Sequence, residues 1–134
     1  IPSSVQSIES NAFENCAALT EISIPTSVTS IGSNAFKGCT ELKKVIFGLE
    51  LTFIGQSAFE GCSNLDNVVL GNLNSIEKST FKGCSSISQI TIPSTVASIG
   101  PNSFEGCSAL ENVVIPSSVT SIGSKAFDGC TSII

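Results

Sequence analysis

Ala35-Phe36-Lys37-Gly38-Cys39 is one of six versions of a single pentapeptide. Phe13, Phe36, Phe59, Phe81, Phe104 and Phe127 each stand three residues before Cys16, Cys39, Cys62, Cys84, Cys107 and Cys130. Successive cysteines are 23, 23, 22, 23 and 23 residues apart. A fixed period of this length marks a solenoid, because one unit is too small to bury its own apolar face and must stack on neighbours. Residues 1–134 are therefore read as one solenoid of about six repeats.

Working outward from the pentapeptide, each unit shows three sides. Leu19-x-x-Ile22-x-Ile24 returns as Leu42/Val45/Phe47, Leu65/Val68/Leu70, Ile87/Ile90/Ile92 and Leu110/Val113/Ile115. Alternating β-branched residues predict a short strand with one buried face, and five such strands predict a parallel sheet. Pro25, Pro93 and Pro116 follow, ending the strand because proline has no N–H to donate. Val28/Ile31 and its equivalents, from Val5/Ile8 to Val119/Ile122, predict a second inward-facing side. The third side, Ser33-Asn34-Ala35-Phe36 in the second unit, is predicted to be a short helical or 3-10 turn. Pro101 would open one such turn, and Gly38 would end another. The Gly38 column holds Asn15 in the first unit, which predicts a positive φ there. The Gly32 column admits Glu9 and Glu77, which predicts no such need.

Composition excludes several functions. Hydrophobic residues make up 41% and charged residues 13%, too apolar for a disordered chain. Net charge is −5 with no basic run, so no nucleic-acid partner is expected. Apolar runs such as Val113-Val114-Ile115 are too short for membrane insertion. No Asn-x-Ser/Thr glycan acceptor occurs. The first repeat enters inside its strand and the last stops at Ile134 as a new one begins. The expectation is an internal fragment truncated at both ends, whose apolar end coils self-associate end to end.

The chemistry-bearing side chains are few. With no histidine, the commonest general base and neutral metal ligand are missing, and no catalytic, cofactor or metal site is expected. Cysteines 22 or 23 residues apart lack the close pairing of zinc ligands. Stacked one coil apart they would point the same way, about 5 Å from each other, which suits buried free thiols better than disulfides. The column after phenylalanine reads Glu14, Lys37, Glu60, Lys82, Glu105, Asp128. It alternates in sign through five coils and predicts an exposed ladder of ion pairs.

These columns resemble the BspA-like branch of the leucine-rich repeat family. The match is to its pattern of about 23 residues, Ile-Pro-x-x-Val-x-x-Ile-Gly-x-x-Ala-Phe-x-Gly-Cys, which Ile24 to Leu42 follow almost position for position. The resemblance implies an α/β repeat solenoid, a right-handed array with a short parallel sheet on one side. It also implies a non-enzymatic adhesion module of a cell-surface or secreted protein, associated with virulence and binding host matrix or cell-surface proteins. A structural stalk and an intracellular scaffold are the alternatives. The third and fourth units depart from the pattern at Gly48-Leu49-Glu50-Leu51-Thr52-Phe53 and Gly71-Asn72-Leu73, where a change of coil shape is expected.

The candidate protein-binding residues lie on the outward side of the strands. One column is Glu21, Lys44, Asn67, Gln89, Asn112, and the next is Ser23, Ile46, Val69, Thr91, Val114. An apolar stripe flanked by amides suits a protein partner, although strand propensity also favours Val and Thr there. Leu49 and Phe53 are a second candidate, since both replace Ser or Thr. They would form an exposed patch or fold onto Leu51 or Leu73.

Overall fold

A computed structural model describes residues 1–134. The chain winds into a parallel β-solenoid of about five turns. Each complete coil carries one three-residue and one two-residue strand. The former are β2 (Glu21–Ser23), β4 (Lys44–Ile46), β6 (Asn67–Val69), β8 (Gln89–Thr91) and β10 (Asn112–Val114). The latter are β1 (Ser7–Ile8), β3 (Ser30–Ile31), β5 (Phe53–Ile54), β7 (Ser75–Ile76), β9 (Ser98–Ile99) and β11 (Ser121–Ile122). The long strands form one five-stranded parallel sheet, as the alternating columns predict. The short strands form two sheets, β1-β3-β5 and β7-β9-β11.

The third side is not helical, which corrects the sequence expectation. Along it the amides alternate in direction. Ala35, Lys37 and Cys39 donate back to Gly32, Asn34 and Phe36 of their own coil. Asn34, Phe36 and Gly38 donate instead to Gln56, Ala58 and Glu60 of the next coil, at 2.8–3.1 Å. A 3-10 helix needs consecutive bonds to residue i−3, and here every second amide leaves the coil. The backbone reaches this arrangement by placing Asn11, Asn34, Ser57, Ser79, Asn102 and Lys125 at φ 56–64°. One left-handed residue in the middle of the segment is enough to break a helix. Pro101 therefore opens a turn rather than a helix. Gly38 does adopt a positive φ of 75°, and Asn15 one of 60°, but neither caps a helix.

The core follows from this stacking. Phe36, Phe59, Phe81 and Phe104 are fully buried, and the six rings stack with centroids 5.1–5.7 Å apart and planes within 11°. Such pairs add roughly 0.5–1.5 kcal/mol each beyond area burial. Below the rings runs a ladder of thiols. Cys39, Cys62, Cys84, Cys107 and Cys130 each donate S–H to the carbonyl of Phe13, Phe36, Phe59, Phe81 and Phe104 in the preceding coil, at 3.1–3.2 Å. All six cysteines are free, as their spacing predicts.

The regular stacking slips once, between the third and fourth coils. The shortened turn at Gly71-Asn72-Leu73 leaves β5 and β7 unpaired with each other. Gly55 and Gly100 donate to Ile31 and Ile76 across their coils, whereas the Glu77 amide does not reach Ile54. The Phe59–Phe81 spacing widens to 5.7 Å. The seam explains Glu77 in a glycine column. A Cβ at Gly55 would lie 2.6 Å from the Ser33 nitrogen of the preceding coil, so glycine is required there by close backbone approach. At the seam that approach is relaxed, and Glu77 fits without a positive φ.

Phe81→Ala is expected to cost about 3–5 kcal/mol in urea denaturation, as for deletion of a fully buried ring. Phe13→Ala, at a half-buried position on the first coil, is expected to cost clearly less.

Candidate functional site

In β2, β4, β6, β8 and β10 the middle residue points into the core and the two flanking residues point out. Val45, Val68 and Ile90 are buried, and Ile22 and Val113 are half-buried. Their neighbours Glu21, Lys44, Asn67, Gln89 and Asn112 are all exposed, as are Ser23, Ile46, Val69, Thr91 and Val114. Parallel register sets these as two straight columns, with Glu21 beside Lys44 and Ser23 beside Ile46, then Asn67 beside Gln89 and Val69 beside Thr91. The structure thus brings ten of the twelve sequence candidates onto one face. Three of them hold substantial apolar surface in water: Ile46 is 51% exposed, Val69 69% and Val114 78%.

The face is not flat. Between β4 and β6 only Lys44 and Asn67 are paired in register. Beyond them a depression opens, lined by Lys44, Val45, Ile46, Phe47, Asn67 and Val69. Phe47 occupies a column that holds Ile24 and Leu70 in adjacent coils, and its ring meets Phe59 edge-on at 5.8 Å. Two further depressions flank this one, a polar one at Asp66, Asn67, Ser88 and Gln89 and a mixed one at Glu21, Ser23, Lys44 and Ile46. Every depression away from the end coils lies on this sheet face. Phe47 lines the depression on this candidate face and escapes sequence reasoning. Its only signal is an aromatic ring in a column of aliphatic residues.

Leu49 and Phe53 lie elsewhere, on the turn after β4 and on β5. Leu49 is 71% exposed and Phe53 45%.

The ionisable groups offer structure rather than reactivity. Of the predicted charge ladder, Lys37–Glu60 at 3.5 Å and Lys82–Glu105 at 3.3 Å form ion pairs. A hydrogen bond from Asn102, then Lys82, holds the Glu105 carboxyl below its usual range. Burial pushes the Cys62 and Cys107 thiols up to about 12, from an ordinary 9.0. It raises Cys84 well above the ordinary value, and also raises Cys39 and Cys130. A thiol that resists ionisation is a poor nucleophile. No cluster of three His, Cys, Asp or Glu side chains is arranged to hold a metal ion, and no helix is long and apolar enough to cross a membrane.

The pattern of the BspA-type leucine-rich repeat region matches six copies across residues 6–134. The chain belongs to that family. It is similar to a leucine-rich repeat protein from Bacteroides ovatus, with 38% identity and a TM-score of 0.92 over 96% of this chain and 34% of that one. It is also similar to a leucine-rich cell surface protein from Faecalibacterium prausnitzii, with 31% identity and a TM-score of 0.83 over 97% of this chain and 42% of that one. A third likeness is to the T. pallidum leucine-rich repeat protein, with 29% identity and a TM-score of 0.82 over 97% of this chain and 72% of that one. The chain thus spans between about a third and three quarters of the length of these relatives. Comparison with functionally curated proteins finds no match. Arrays of this family are generally non-enzymatic and serve in protein interaction.

The thiols yield two expectations. With Ellman's reagent at pH 8, Cys62, Cys84 and Cys107 should stay unreacted in the folded chain, while half-buried Cys16 reacts. A raised thiol pKa stabilises the fold fully below the unfolded value and progressively less above it. The urea midpoint should therefore hold to about pH 9 and fall toward pH 12.

Proposed function

We propose that this chain is a protein-recognition module at a cell surface, binding its partner along the outward face of the five-stranded sheet. The observation that carries this reading is the column containing Ile46, Val69 and Val114, which keeps apolar surface in water beside a polar column of Glu21, Lys44 and three amides. Large exposed apolar groups rimmed by polar ones are characteristic of protein contact surfaces. The depression at Phe47 adds a recess that an anchoring side chain would fill. The host matrix and cell-surface proteins implied by the family resemblance are the partner class. The surface location is supported by the relative described as a cell surface protein. Six free thiols do not argue against an oxidising location, because neighbouring ones donate to carbonyls rather than face one another, and the inner ones are buried. Binding by the array requires no enzymatic step.

The test is binding of the chain to immobilised host matrix and cell-surface proteins, compared with the triple variant Ile46→Asp, Val69→Asp, Val114→Asp. All three side chains are exposed, so the variant should keep the parent circular dichroism and unfolding midpoint. The parent should bind at least one protein and the variant should lose it by tenfold or more. Equal binding by the variant would refute the sheet-face reading.

A further inference from the structure

Resting on the sheet-face reading, we infer that the depression between β4 and β6 is the anchor point of that face. It takes a large apolar side chain from an extended segment of the protein partner, and Lys44 receives a carboxylate two residues away on the same segment.

The depression coincides with the shortened unit. Three register pairs join β2 to β4, β6 to β8 and β8 to β10, but one joins β4 to β6. On the second side, β5 and β7 of the same two coils do not pair with each other. The widest spacing in the phenylalanine stack, 5.7 Å, falls at the same place. On the third side the bridges from Ser57, Phe59 and Gly61 to Lys78, Thr80 and Lys82 persist at 2.8–3.0 Å. The two coils are therefore held on one side and loosened on the other two. The depression lies where that loosening reaches the outward sheet face.

Its chemistry is that of an anchor site for one side chain. Val45, Ile46, Phe47 and Val69 supply an apolar lining, and Lys44 and Asn67 stand at the end where the strands enter. At about 270 Å³ it falls below the roughly 300–1,000 Å³ of small-molecule pockets. It is open, so a side chain projecting from a partner's backbone can enter. Binding energy at protein interfaces concentrates in such anchors.

Charge selects what accompanies the anchor. Lys44 is the only charged side chain lining this depression. The nearby carboxylates of Glu21 and Asp66 line the two flanking depressions instead. Glu21 stands beside Lys44 in register, and the Asp66 amide donates to the Lys43 carbonyl. Even so, neither Lys43 nor Lys44 has a carboxylate within ion-pair distance, unlike Lys37 and Lys82. In a chain of net charge −5, this exposed pair of adjacent lysines is where an incoming carboxylate meets least repulsion. Spacing sets the order. Lys44 and Ile46 flank Val45 on the outward face of β4, roughly 6.6 Å apart at about 3.3 Å of rise per residue. An extended partner segment repeats that spacing between side chains i and i+2. A segment reading Glu-x-Phe therefore sets its acid on Lys44 while its ring enters the depression.

The experiment is an amide-resolved NMR titration of the chain with three synthetic peptides. They are Gly-Ser-Glu-Thr-Phe-Ser-Gly, its charge-reversed form Gly-Ser-Lys-Thr-Phe-Ser-Gly, and the ringless Gly-Ser-Glu-Thr-Ser-Ser-Gly. The first should shift the amides of Lys44, Ile46, Phe47 and Val69, and bind roughly fivefold more tightly than the second. The third should shift none of them. Lys44 is exposed, so its variants should keep the parent spectrum away from β4 and its neighbours. Lys44→Gln should level the preference, and Lys44→Glu should reverse it. No shift at the depression with the first peptide, equal affinity of the two charged peptides for the parent, or a preference unchanged in both variants would overturn the proposal. The sheet-face reading has its own readout in whole-protein binding by the triple variant. Loss of that binding alongside failure of the peptides would leave the face standing and the anchor wrong, whereas intact binding by the triple variant would sink both.

Discussion

The structure depends on a backbone whose amides alternate between their own coil and the next. Along Asn34 to Cys39, half of the N–H groups close tight turns and half bridge to the neighbouring coil. The turns shape each coil, and the bridges hold the coils together. Neither set alone suffices, because a single coil has no core and a stack without bridges leaves buried amides unpaired. The left-handed residues at Asn34 and Gly38 make the alternation geometrically possible.

Side chains then fill the space this backbone defines. The spacing between coils brings phenylalanine over phenylalanine and each thiol after Cys16 under a carbonyl of the preceding coil. Buried thiols remain protonated, so the ladder is a set of weak hydrogen bonds rather than a reactive centre. The single shortened unit tests the tolerance of the scheme. The third-side bridges reform at Ser57, Phe59 and Gly61 despite the missing residue, while the second side loses its pairing between β5 and β7. The bridged side thus keeps its register, and the variation falls on the second side and on the pairing of β4 with β6.

The sequence is unusually explicit about repetition and nearly silent about conformation within the repeat. The Phe and Cys columns state the period and the core without ambiguity, and Asn15 in a glycine column correctly reveals a positive φ. The Asn34 column hides its own positive φ, because Ser57, Ser79 and Lys125 share it with three asparagines, and a helical turn is the more ordinary reading of Ser-Asn-Ala-Phe. Outward columns on the strands follow directly from alternation. The depression at Phe47 does not, since it arises from how β4 and β6 diverge beyond Asn67. The exposure of Leu49 and Phe53 was equally undetermined, because an irregular turn can fold either way.

The outward sheet face is where units differ most, and the bridged side is where they agree. The scaffold therefore fixes position while leaving the exposed columns free to vary. The most direct test of that scaffold is residue-resolved amide hydrogen exchange on the dilute chain. The amides of Phe36, Gly38, Phe59 and Gly61 should be strongly protected by their bridges, while those of Phe127 and Gly129, in the same columns but without a following coil, exchange rapidly. Exchange of Phe36 and Gly38 as fast as that of Phe127 and Gly129 would contradict the account.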